Sequence, residues 1–214
     1  VPVMLFFMTR SNAGSASLAL IQLLGSGNRT AMTLFAAAFF VAGGCLNGTA
    51  SSTFSREGSS FWISKVIPVA PARQVAGKFL HSYLVAVLGT LGGALAARLA
   101  LGMGWEIVLP ACLLSLPAGG LITAVNMAVD LARPLLTWTN PQRAIKQNLN
   151  VVLAMALDAG VGYAFYRLFV LLRRAGLDGA RLVAALSAVA LLASAAALYF
   201  LARFAARRYA AIES

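Results

Sequence analysis

The sequence predicts an all-α protein, a polytopic helical bundle built for a membrane, with about five complete spans and a truncated one before them. Three observations predict it. Of 214 residues, 60% are hydrophobic and only 11% are charged, whereas a soluble domain carries about 25% charged residues. A core of this size cannot hide so much apolar surface from water, so the excess is expected to face lipid. Runs at 31–50, 79–101, 107–129, 149–172 and 182–202 each approach the roughly 20 apolar residues that a helix needs to cross a bilayer. None of them alternates with the period of a membrane barrel, and backbone groups in lipid must pair within their own segment, so the runs read as helices.

The elements follow in chain order. The chain starts at Val1, and "VPVMLFFM" reads as the end of a span cut upstream. It lacks a basic n-region and a cleavage site, which argues against a signal peptide; the chain is expected to be the C-terminal piece of a longer protein. The runs are rich in Ala and Gly. Gly89 and Gly93 are four apart, as are Asp158 and Gly162, while Gly119 and Gly120 follow Pro117, where a kink is expected. Small residues let helix backbones approach closely and hold a bundle by dispersion contacts. Cys45 and Cys112 lie inside apolar runs without metal-ligand spacing and read as small buried hydrophobes. No internal repeat, low-complexity tract or soluble domain interrupts the single transmembrane domain, 1–214.

The net charge of +11 does not point to nucleic acid, because the basic residues lie between apolar runs and form no surface of their own. They set orientation instead. Arg56, Lys65, Arg73 and Lys78 fall in the loop 51–78; Arg133, Arg143 and Lys146 fall in the loop 130–148; Arg203, Arg207 and Arg208 fall in the tail. These three regions share one side if all five helices span. Arg10, Arg29, Arg98, Arg167, Arg173, Arg174 and Arg181 belong to the other. The excess places both loops and the C-terminus in the cytoplasm.

The first loop, "SREGSSFWISKVIPVAPARQVAGK", is expected to form a short amphipathic helix over 57–67. Trp62, Ile63, Val66 and Ile67 share one face and Ser60, Ser64 and Lys65 the other. Trp62 would rest at headgroup depth, Pro68 would end the helix, and Pro71 would open the next one, which runs through Lys78 into the membrane. Such a helix is either a connector resting on the membrane or a docking helix pushed by a soluble partner. Arg56 and Glu57 could also cap its start. In the second loop, Asn140 suits an N-cap and Pro141 a first helical position, Trp138 would sit at the interface, and Arg143 and Lys146 would meet anionic headgroups or a partner.

The first loop resembles the cytoplasmic loop of permease subunits in ABC-2-type exporters: a basic-acidic-glycine start, an aromatic-apolar helix, a proline, then Gly-Lys entering the next span. The second, "DLARPLLTWTNPQRAIKQNLN", is similar to the matching loop of the ABC exporter permeases within that group. The likeness covers both loops and the helix order. Ser59 and Ser60 depart from it where a longer or basic side chain is expected, and the N-terminal portion is absent. The resemblance implies a bacterial inner-membrane permease whose loop helix couples to a separate ATP-hydrolysing subunit. Arg56, Glu57, Phe61, Trp62 and Lys65 would then sit at or near that contact. A second permease unit, or the other half of a longer chain, would complete the path, and ATP and Mg would be held by the ATPase, with no cofactor in this chain.

Polar residues in the spans are few. Asp158 lies near the middle of the fourth run, where a charge costs roughly 2.5–3.5 kcal/mol on insertion scales, so it should face the bundle or water. It reads as a contact on a substrate path, a proton site, or a hydrogen-bonded lock between helices, with Ala154 and Gly162 on its own face suiting close packing. Asn47 and Asn126 read the same way, and His81 reads as an interface residue. There is no phosphate-binding G-x-x-x-x-G-K-[ST] loop and no H-E-x-x-H, so the chain is not expected to be an enzyme. The rival readings are a proton-coupled secondary transporter using Asp158 and a membrane scaffold that transports nothing.

Overall fold

The computed structural model describes residues 28–46, 48–140, 142 and 148–212, whose regular structure is all helical, with no strand among them. Six α-helices follow in order: α1 Arg29–Cys45, α2 Phe61–Val66, α3 Pro71–Leu99, α4 Trp105–Ala132, α5 Leu149–Arg174 and α6 Gly179–Arg208. Five of them, all but α2, are long and apolar enough to cross a membrane. The expected preceding span falls in 1–27, outside the described residues, as do Asn47, Pro141, Arg143 and Lys146.

The ends of the helices have local causes. Asn28 caps α1, its side chain accepting from Thr30 N at 3.1 Å and Ala31 N at 3.3 Å. α1 stops at Cys45, earlier than the apolar run, and Gly48 with φ 73° turns the chain. α3 begins at Pro71, eight residues ahead of its apolar run, because Pro is preorganised for a first turn. Asn148 caps α5 through Asn150 N at 3.0 Å.

α4 is the central helix, packed against α1, α3 and α6, and α5 lies against α4 and α6 on the outside. Cys45 and Cys112 are free thiols, the first buried and the second half-buried. Leu80, Leu84, Leu88, Leu91, Leu95 and Leu99 form an outward stripe on α3, each 52–68% exposed. A stripe of that size is an aggregation liability in water and ordinary in lipid.

One end of the bundle carries both long connections, and its core includes them. Phe54 and Phe61, fully buried, pack with Val75, Met127, Leu131, Leu201 and Tyr209. Residues Ala50 to Ser55 are all buried. The start of the loop expected at 51–78 is therefore a plug in the end of the bundle.

Candidate functional site: the fastened loop block

The helix expected over 57–67 is broken. A 3₁₀ segment, Ser55–Ser60, runs into α2, and Gly58 within it kinks the backbone with φ 53° and ψ −135°, a conformation open only to glycine. Only Phe61–Val66 is α-helical, and Ile67 is already extended before Pro68. The apolar face is as expected, with Trp62, Ile63, Val66 and Ile67 exposed. On the polar face Ser64 is half-buried and bonds Glu57, while Ser60 and Lys65 are exposed, Lys65 reaching back to the Ile212 carbonyl.

Asp130 organises this end. It sits in the last turn of α4, where the helix dipole disfavours a carboxylate, and it is fully buried. Its Oδ2 accepts from the backbone N–H groups of Phe54 at 2.6 Å and Ser55 at 3.0 Å, so it caps the 3₁₀ segment from across the bundle. Its Oδ1 accepts from the Ser55 hydroxyl and from Asn150 Nδ2 at 3.0 Å. Ser55 Oγ is itself saturated, because it also accepts from Leu135 N at 2.9 Å and Asn148 Nδ2 at 3.0 Å. Asn150 Nδ2 reaches Arg133 O at 2.7 Å as well. Every contact to Asp130 is a donor, and the arrangement suits an ionised carboxylate acting only as acceptor.

Trp138 closes the block. Its Nε1 donates to Ser55 O at 2.8 Å, and its ring lies where a Cβ on Gly58 would come within 2.6 Å of Cζ2. The indole expected at the membrane interface is a fastener between the two loops. Gly58→Ala meets both the strained φ and this clash, so it is expected to unseat the Ser55–Ser60 segment. Limited proteolysis near residue 60 should accelerate at least about tenfold, which corresponds to about 1.4 kcal/mol of easier local opening; parent-like cleavage would show that the backbone here adapts freely.

The residues carried over from the resemblance are placed as follows. Trp62 is 54% exposed at the surface of α2. Phe61 is buried against Tyr209, ring centroids 5.2 Å apart, so in this arrangement it offers no partner a surface. Arg56 donates to Ser52 O at 3.3 Å and Thr49 O at 3.2 Å. Glu57 pairs with Lys78 of α3 and accepts from Ser64 Oγ at 2.6 Å, and it caps no helix start. Lys65 donates to the Ile212 carbonyl beyond α6. Tyr209 donates to Gln74 Oε1 at 3.1 Å, and burial pushes its phenol pKa up, partly offset by a hydrogen bond with Ser64. Arg208 Nη2 reaches Ala132 O at 3.0 Å. Asn140 Oδ1 accepts from Gln142 N at 2.9 Å, as an N-cap should. His81 is exposed on α3.

The second polar group lies between α4 and α5. Asn126 Nδ2 donates to Asp158 Oδ2 at 3.1 Å. Ala154 is buried as expected, but Gly162 is not a close-packing residue: a Cβ there would meet nothing within 4 Å. It borders an open groove lined by residues of α1, α4 and α5.

Sequence reasoning missed Ser55, Asp130, Asn148 and Asn150 as a set. The one signal was Asp130 itself, an acid in the last turn of an apolar helix, which must find donors to stay there. No family model, no curated protein and no solved structure matches this chain.

Proposed function

We propose that the chain spans the membrane as the permease component of an ATP-driven exporter, with a separate ABC ATPase seated under α2. The observation that supports this most is mechanical. α2 presents an exposed apolar face, yet its other contacts run to four helices: through Glu57 to Lys78 on α3, through the adjoining 3₁₀ segment to Asp130 on α4 and, by way of Ser55 and Asn148, to the start of α5, and through Phe61 to Tyr209 after α6. A force applied at Trp62 is delivered to the bundle as a unit. Nucleotide-driven motion of a partner would thus change the spans without bond chemistry in this chain. The positive charge of both loops and the tail supports a cytoplasmic position for this end.

The test is recovery of an ABC ATPase with the tagged full chain from native membranes, followed by reconstitution of the pair. Trp62→Ala should reduce stimulated ATPase activity by about tenfold, the effect of losing about 1.4 kcal/mol at an aromatic anchor. The melting temperature should not move, because Trp62 is exposed. Recovery of the chain without any such ATPase, or full stimulation with Trp62→Ala, would sink the reading.

A further inference from the structure

We propose that Asp158, which lines the groove between α1, α4 and α5, and Asn126, hydrogen-bonded to it from behind, bind the head of a lipophilic ammonium ion that carries N–H groups. Asn126 is 97% buried, its exposure being 3%, and its Nδ2 is engaged with Asp158. That single bond leaves Asn126 Oδ1 and Asp158 Oδ1 buried without any hydrogen-bond partner, the only such side-chain atoms among the described residues. Both are acceptors, so the missing groups are donors, and one acceptor belongs to an acid, so the donor fits best with a positive charge. An unpaired buried acceptor is costly, and an occupant with two N–H groups would satisfy both.

The surroundings define the rest of the occupant. The groove holds about 680 Å³ and is walled by Ala38, Val41, Met155, Phe165, Tyr166 and Phe169. That volume falls in the range of small-molecule sites, and apolar walls with one anchored polar point match an amphiphile. Gly162 keeps the space beside Asp158 open. Met155 and Tyr166 at the rim are exposed on the flank of the bundle, so an amphiphile enters from the lipid side. A hard metal ion is a poor fit, because it wants six or more oxygen ligands, and no metal-holding cluster of His, Cys, Asp and Glu exists among the described residues.

The site extends the permease reading but does not depend on the ATPase, so direct binding separates the two. The full chain in lipid nanodiscs is titrated with radiolabelled dodecylamine and, in parallel, with dodecyltrimethylammonium, which has the same tail and charge but no N–H. Binding to empty nanodiscs is subtracted. Saturable dodecylamine binding is expected, at least about tenfold tighter than the trimethyl probe, the effect of about 1.4 kcal/mol. Asp158→Asn should weaken it by about 30-fold or more. Gly162→Leu, which keeps the carboxylate and fills the groove, should abolish it, and unchanged melting temperatures identify both variants as folded. Equal affinity for the two probes, or parent-like binding by Asp158→Asn, overturns the proposal. So does the absence of saturable binding.

Discussion

Asp130→Ala is expected to lower the melting temperature of the purified protein more than any other single change in the loop block, with a loss of about 3–5 kcal/mol. The carboxylate receives two backbone N–H groups, one hydroxyl and one amide, all buried. Removing it strands donors from two parts of the chain at once, residues 54–55 and Asn150. Asp130→Asn should not rescue. An amide can keep the two backbone bonds through its oxygen, but its NH₂ then faces Asn150 Nδ2, another donor, and Ser55 Oγ, which already accepts from Leu135 N and Asn148 Nδ2. Ser55→Ala should cost less, because both backbone bonds to Asp130 survive. Asn150→Ala should add less in the Asp130→Ala background than alone, since the two share one network. Thermal melts in detergent give the ranking; a melting temperature for Asp130→Ala equal to that of the parent would show that the carboxylate does not hold the block.

The five long helices were legible because a run of apolar residues is a compositional signal that needs no tertiary information. Their ends were legible only in part. Pro71 marked the start of α3, as expected, but α6 runs to Arg208, past its apolar run, because helix geometry continues through polar residues whose long side chains reach back to carbonyls or out to solvent. The face of α2 that carries Trp62 was legible from periodicity, but its start was not, since the backbone at Gly58 is set by the Trp138 ring from another loop. The Asp130 network ties Ser55 to residues 75 to 93 positions further along the sequence, beyond any periodic pattern. Both motifs that carried the resemblance supply its members, Ser55 and Gly58 from one and Asp130, Trp138, Asn148 and Asn150 from the other. What brings them together is a buried acid and its donors, which spacing alone does not reveal.

Gly89→Ala is expected to separate α1 from α3 and to cost about 2–3 kcal/mol, the upper part of the range for overpacking. A Cβ on Gly89 would lie 2.5 Å from Gly44 Cα, 2.9 Å from Gly43 O and 3.0 Å from Gly44 N. These are backbone atoms of the facing helix, so no rotamer can give way and the helices must move apart. Where neighbouring helices gain little from excluding water, such close approach is a main source of their association. Gly93→Ala should be milder, because its nearest neighbour is Phe40 Cδ1 at 3.0 Å, part of a ring that can tilt. Gly92→Ala, on the same helix with nothing within 4 Å of its Cβ, should be neutral or stabilising by up to about 1 kcal/mol through helix propensity. All three substitutions make the same propensity gain, so differences among their melting temperatures report packing alone. A common shift for all three would mean that α1 and α3 are not held by backbone contact at Gly44 and Gly89.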